Sequence, residues 1–286
     1  MKIDTNTAQN TTATPILGMR SYAQPFFQLY HGDCLVEMDK IKDKSIDMIL
    51  ADLPYGTTAC KWDVVIPFEP LWKQYERIIK DNGAIVLTGS QPFTSLLICS
   101  NLKIFKYEWI WEKSNPANIN CGNSQPMKYH ESIVVFAKNK TTFNKINIKR
   151  SDNGMKTVQS QIKNNNTWKP IFKDLNTINS SKEYDSDRYN INTKNPSSII
   201  FFNSVRPKAK DKLPHPTQKP VSLMEYLILT YTNEGDIVLD NTMGSGTTGV
   251  ACKNLNRSFI GIEKDEKYFN MAKKRIELHN VQSELF

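Results

Sequence analysis

The chain has 286 residues, 39% of them hydrophobic, which is enough for one large α/β domain or a domain carrying an insertion. Its formal charge is +8, from 37 Lys and Arg against 29 Asp and Glu, and this favours a polyanionic partner such as nucleic acid. Five scattered cysteines with no Cys-x-x-Cys pair, and only four histidines, argue against a disulfide framework or a metal site; reduced thiols point to the cytoplasm, and no apolar run is long enough to span a membrane.

Residues 1–25 are rich in Thr, Asn, Ala and Gln, lack the order of a signal peptide and read as a loose tail. A short strand over 27–30 runs into His31-Gly32-Asp33, and Asp33 is placed to cap a helix over 34–40. The apolar run 46–51 reads as a buried strand. The next residues, Asp52-Leu53-Pro54-Tyr55-Gly56, cannot stay in a strand, because Pro54 has no N–H and Gly56 invites a turn. A carboxylate and an aromatic ring are thus presented together at a strand's carboxyl end, where open α/β sheets place ligands. That pairing suits a planar ring with an exocyclic amino group; ordinary turn chemistry is the plain alternative.

A loop over 56–67 precedes a helix over 69–80, with apolar Leu71, Trp72, Tyr75, Ile78 and Ile79 near helical spacing and Asn82-Gly83 closing it. A strand over 84–87, a helix over 91–100 and strands over 105–111 and 132–137 come next. From 138 to 212 the chain is heavy in Asn, Lys and Ser with isolated aromatics, which reads as an inserted basic module or, more plainly, a disordered insertion. Pro220 then opens a helix over 221–231, a strand over 237–239 ends at Asp240, and the loop 241–246 leads into a helix over 247–255. A strand over 258–262 ends at Glu263, and a helix over 266–278 closes the chain. Such alternation predicts a mostly parallel sheet covered on both faces.

The stretch Asp240-Asn241-Thr242-Met243-Gly244-Ser245-Gly246-Thr247-Thr248-Gly249 joins a strand to a helix, and its glycines allow close approach of backbone to a ligand. The pattern Gly244-x-Gly246-x-x-Gly249, with Glu263 placed to hold ribose hydroxyls, also matches a dinucleotide fingerprint. Asp240 favours a different nucleoside cofactor: it would repel a pyrophosphate and suit the ammonium of S-adenosylmethionine. NAD stays the alternative from these residues, as does a glycine loop needed only for packing.

With both sites in hand, the chain resembles the β class of DNA amino-methyltransferases, which methylate adenine N6 or cytosine N4. Asp52-Leu53-Pro54-Tyr55 resembles the family's Asp-Pro-Pro-Tyr motif and Asp240 to Gly246 its Asp-x-Phe-x-Gly-x-Gly motif. His215-Pro216-Thr217-Gln218-Lys219-Pro220 looks like the segment that closes over the cofactor's methionine end, and Gly32-Asp33-Cys34 like the strand-end acid that contacts its adenine. The resemblance implies a mostly parallel, seven-stranded Rossmann-like sheet with helices on both faces and an inserted target-recognition region. The boundaries are a tail (1–25), a catalytic half (26–139), the insertion (140–210), a cofactor-binding half (211–280) and a second tail (281–286). It implies catalysis by Asp52, Leu53, Pro54 and Tyr55, and S-adenosylmethionine held by Asp33, Cys34, His215, Thr217, Lys219, Asp240, Met243, Gly244, Ser245, Gly246, Thr247, Thr248 and Glu263. The implied activity is site-specific methylation of a flipped-out adenine in double-stranded DNA; a homodimer and a cognate restriction endonuclease are further partners the resemblance admits. Cytosine N4 is the rival target, a non-catalytic DNA-binding module and a nicotinamide-dependent oxidoreductase the rivals from other classes. Two positions depart from the pattern. Leu53 replaces a proline but keeps the carbonyl that would accept from the target amine, and Thr242 stands where phenylalanine is common. Trp62 and Asp63 are candidates to cover the base pocket, and Asn118, Tyr129 and His130 to line it.

Overall fold

The structure is a computed structural model that describes residues 24–58, 60, 62–153, 155–156, 192–205, 212–214 and 217–279. Its elements in chain order are β1 (Phe27–His31), α1 (Cys34–Glu37), β2 (Ile46–Ala51), α2 (Phe68–Ile78), β3 (Ile79–Gly89), α3 (Phe93–Ser100), β4 (Phe105–Lys113), β5 (His130–Phe136), β6 (Ile148–Lys149), β7 (Thr193–Lys194), β8 (Ile199–Phe202), α4 (Val221–Tyr231), β9 (Ile237–Asp240), α5 (Thr247–Asn254), β10 (Ser258–Glu263) and α6 (Glu266–Leu278).

Among the described residues, eight strands form one sheet in the order β1-β10-β9-β2-β3-β5-β4-β8, and β6 and β7 form a small separate pair. Pairing is parallel from β1 through β3 and between β4 and β8; β5 runs antiparallel to both its neighbours. The sheet is therefore mostly parallel, as the alternation of elements predicts, with eight strands instead of seven. The additional strand is β8, which falls within the span expected to be an insertion and which pairs with the edge of β4. The start of that stretch is also built into the body. Asn144 gives its side-chain amide to Leu229 O (3.0 Å) and Thr232 O (2.8 Å) at the end of α4, and Phe143 stacks on Trp109 at 6.5 Å. Residues 157–191, about half of the expected insertion, lie outside the described residues.

Alternation along the central strands divides the core. Met48, Leu50, Ala84 and Val86 face the layer that includes α4, α5 and α6, while Ile49, Ala51, Ile85 and Leu87 face α1, α2 and α3. Both faces are buried, so these strands read as continuous apolar runs. The helix expected over 69–80 ends earlier, at Ile78. Ile79 already pairs with Ile46, and β3 runs on through Asn82-Gly83, so that dipeptide lies in the strand and does not close the helix. Pairing across the sheet outweighs the turn signal there.

The connections from the two central neighbours diverge. From β9 the chain passes through α5 to β10 on one side, and from β2 through α2 to β3 on the other. β9 and β2 thus flank the topological switch point, where a crevice opens at the strands' carboxyl ends.

Candidate active site

Asp52 comes directly after the last residue of β2 and Asp240 is the last residue of β9, so the two carboxylates stand side by side at the switch point. Asp52 Oδ1 accepts from Tyr55 Oη at 2.6 Å and from Thr88 Oγ1, and Tyr55 Oη also lies 3.0 Å from Thr88 Oγ1. Asp52 Oδ2 accepts from the Lys219 ammonium at 2.5 Å. Burial would raise the Asp52 pKa, but the Lys219 charge and the hydrogen bonds from Lys219, Thr88 and Tyr55 outweigh it and hold the acid below the usual carboxylate range. About a quarter of its side chain (24%) still reaches solvent, so the carboxylate stays open to a ligand. The Tyr55 ring stacks on Phe93 at 5.0 Å, with the Lys219 ammonium 5.9 Å from its centroid.

Lys219 belongs to an alternating chain of charges. Its ammonium lies 3.5 Å from Glu131 Oε2, and Glu131 Oε1 accepts from Lys113 at 2.8 Å. Burial lowers the Lys219 pKa, yet Asp52 and Glu131 together raise it, so the lysine is charged. Residues from four strands meet here for one reason of direction. Asp52 ends the run of β2, Thr88 is near the end of β3 and Lys113 ends β4, while β5 runs the opposite way, so its beginning, with Glu131, lies at the same edge.

Across the crevice, Asp240 Oδ1 accepts from Thr242 N at 3.1 Å and Oδ2 from Thr248 Oγ1 at 2.6 Å, which closes the glycine loop on itself. Gly244 (φ 49°) and Gly246 (φ 73°) are in the left-handed region that favours glycine. Glu263 Oε2 accepts from Gly244 N at 2.8 Å and Oε1 from Asp265 N at 2.8 Å. Burial, with Asp52 and Glu263 adding like charge, pushes the Asp240 carboxyl up to about 7 despite its two hydrogen bonds. Burial also raises Glu263. Asp33 caps α1 through Leu35 N at 3.0 Å, as expected, and pairs with Lys264 at 3.0 Å. Burial pushes the neighbouring Cys34 thiol up to about 11, leaving it a protonated, unreactive group.

The structure thus brings together Asp52, Leu53, Pro54 and Tyr55 with Asp240, the glycine loop and Glu263. It places several other expected residues differently. Lys219, assigned to the cofactor, has its ammonium on the candidate catalytic acid. Ser245 and Thr247 turn toward α6, where Arg275 donates to Ser245 O (3.0 Å) and Thr247 Oγ1 (3.0 Å). Met243 is buried, with its sulfur against Gly261. Thr217 is exposed, and His215 lies outside the described residues. Asp63 is buried as a loop clasp, accepting from the backbone of Gly56 (2.9 Å), Thr57 (2.9 Å) and Thr58 (2.6 Å), and Trp62 meets Tyr268 edge-on at 6.5 Å. Asn118 braces its own loop through Lys128 N (2.6 Å) and Pro126 O (3.1 Å), while Tyr129 and His130 are exposed. Thr88, Glu131 and Lys113 are site residues that the sequence alone does not single out. Their only signal is a polar or charged residue near the end of an otherwise apolar strand, which becomes legible once the direction of β5 is known.

A doubly wound sheet whose switch point holds a glycine loop beside a carboxylate–aromatic turn defines a Rossmann-like protein with a site for a nucleoside cofactor. The family model described as DNA methylase, covering the N6 and N4 types, matches residues 46–274. The chain belongs to that family, as a DNA amino-methyltransferase of the β class. It is 30% identical over 265 residues to the type II methyltransferase M.HpaI of Haemophilus parainfluenzae, covering 87% of this chain and 74% of that one. It is 28% identical over 265 residues to the DNA adenine methyltransferase YhdJ of Escherichia coli, covering 87% and 82%. Among solved structures, that of the M1.HpyAVI–SAM complex superposes with a TM-score of 0.57 at 29% identity, covering 88% of this chain and 100% of that one.

Proposed function

We propose that the protein is a site-specific DNA methyltransferase that transfers the methyl group of S-adenosylmethionine to the N6 amine of an adenine flipped out of the duplex. The observation that carries this reading is the adjacency of the Asp52 turn and the Asp240 glycine loop across the opening between β2 and β9. A donor held by one strand end then faces an amine held by the next. The E. coli relative's designation as an adenine methyltransferase and the cofactor complex of M1.HpyAVI support the choice of target and donor.

The residues fit that cofactor. Asp52, Asp240 and Glu263 form an acidic cluster in which Asp240 is pushed up to about 7, and a cationic ligand relieves the repulsion. Asp240, Glu263, Asp33 and the loop Gly244–Gly246 are the groups that would hold it. When bound, S-adenosylmethionine supplies a methyl group made electrophilic by a sulfonium.

The protein's part is to prepare the amine. An exocyclic amine is a poor nucleophile because its lone pair is delocalised into the ring. Two acceptors aimed at its N–H bonds, Asp52 Oδ2 and the Leu53 carbonyl, favour a pyramidal nitrogen with that pair free. Oδ1 is already committed to Thr88 and Tyr55, so Oδ2 is the oxygen that turns to the substrate. Lys219 must then yield Oδ2, and Glu131 Oε2, which has no hydrogen-bond partner among the described residues, offers its ammonium a second anion 3.5 Å away. Tyr55 stacks on the base and Asp52, ionised at neutral pH, receives the departing proton or passes it to water. Positioning supplies most of the acceleration. Base flipping costs a few kcal/mol, which phosphate contacts from the basic stretch 140–210 offset.

Reduced cysteines and the DNA substrate agree with action in the cytoplasm; no helix among the described residues is long and apolar enough to cross a membrane. The type II designation of M.HpaI supports a cognate restriction endonuclease as functional partner, and a homodimer is a further expectation that sedimentation would check.

The test is Asp52→Ala assayed with tritiated S-adenosylmethionine and DNA. Methyl transfer should fall by at least about a hundredfold while calorimetry finds cofactor affinity little changed. Activity near wild type would overturn the assignment.

A further inference from the structure

Beyond Met48↔Val238 and Ile49↔Leu239, β2 and β9 no longer pair, and this is the crevice in which the two motifs face each other. A threonine side chain bridges it. Thr242 Oγ1 donates to the main-chain carbonyl of Asp52 at 3.1 Å. Thr242 is itself fixed from behind, since its N–H is held by Asp240 Oδ1 at 3.1 Å. The line Asp240 carboxylate, Thr242, Asp52 carbonyl therefore ties the cofactor loop to the first peptide of the catalytic turn.

The orientation of that peptide bears on the next carbonyl in the chain. The Asp52 carbonyl belongs to the Asp52–Leu53 peptide, and Leu53 has no ring to fix its φ. Two constraints replace the ring. The Leu53 side chain is buried, 3% exposed, within the apolar cluster that packs on the α1, α2 and α3 side of the sheet, and the peptide plane before it is held by Thr242. With both fixed, φ of Leu53 is set, and Pro54 after it confines ψ to the extended region, so the direction of the Leu53 carbonyl follows. We infer that Thr242 is a positioning residue: its hydroxyl orients the Asp52–Leu53 peptide from the cofactor loop and so aims the acceptors that meet the target amine. This rests on the methyltransferase reading of the same site.

The test compares Thr242→Val, which keeps shape and removes the hydroxyl, with Thr242→Ser, which keeps the hydroxyl. In Thr242→Val, kcat should fall about threefold to tenfold, the range one hydrogen bond supplies, while calorimetry finds S-adenosylmethionine affinity unchanged. Amide hydrogen exchange should rise in the turn after Asp52 for Thr242→Val and not for Thr242→Ser, and Thr242→Ser should retain wild-type kcat. In a Leu53→Pro background the ring supplies the missing constraint, and Thr242→Val should then have little effect on kcat. Thr242→Val with wild-type kcat and exchange would overturn the inference, as would Thr242→Ser losing as much as Thr242→Val. If the wild-type chain moves no methyl group, the methyltransferase reading fails on its own, and the exchange comparison still decides whether Thr242 holds the turn.

Discussion

Asp240 is a buried acid that accepts two hydrogen bonds, and its carboxyl is pushed up to about 7 by burial and by its acidic neighbours. By linkage, a carboxyl whose folded-state pKa is raised contributes stability that is fully present below its ordinary value of 3.8 and is lost as pH rises through about 7. A cationic ligand binds the ionised form better, so it draws the proton off. Affinity for S-adenosylmethionine should therefore rise roughly fivefold to tenfold between about pH 6 and pH 7.5, with proton release visible as a dependence of the binding heat on the buffer's ionisation heat. Asp240→Asn should bind more weakly and lose most of that pH dependence. A wild-type affinity that is flat across this range would contradict the placement of the cofactor beside Asp240. At this same scale the sequence is informative about chemistry and less so about contacts. Asp52, Tyr55 and Asp240 are legible because a carboxylate that ends a buried apolar strand costs desolvation, and a ligand or a turn must offset that cost. That Lys219 rests on Asp52, or that Thr88 binds both Asp52 and Tyr55, depends on distances between segments far apart in the chain.

Among elements, α5 shows how the loop is kept in place. Gly249, near the start of that helix, lies so close to its neighbours that a Cβ would meet Ile276 Cδ1 and, at 2.9 Å, Phe259 Cε1. The glycine lets α5 settle between α6 and β10, which in turn fixes where Asp240, Gly244 and Gly246 present their backbone. In an exposed helix, replacing glycine by alanine would be stabilising by about 1 kcal/mol. Here overpacking outweighs propensity, and Gly249→Val should cost about 1–3 kcal/mol, read as a lower midpoint in urea denaturation with an unchanged slope. A midpoint equal to wild type would show that the helix can shift at no cost. Element boundaries are legible where local signals agree. The strand 46–51, with buried residues on both faces, and the helix 221–231, opened by Pro220, stand where expected. They are poorly legible where a distant strand decides. The end of α2 is set by the pairing of Ile79 with Ile46, and β8 is ordered by β4, whose edge is far away in sequence.

For the whole molecule, the order of motifs along the chain and the alternation of strand and helix are sufficient to predict a doubly wound sheet, because such connections leave few topologies. The antiparallel course of β5 is not legible, and with it go Glu131 and its link to Lys113. The formal charge of +8 agrees with a DNA substrate. The central claim is that two adjacent strand ends, one holding a methyl donor and one an adenine amine, make a DNA adenine methyltransferase. Mass analysis of nucleosides from DNA incubated with the purified wild-type chain and S-adenosylmethionine tests it most directly. N6-methyladenine should accumulate with the wild-type chain and be missing with Asp52→Ala; N4-methylcytosine in its place, or no methylated base, would contradict the claim.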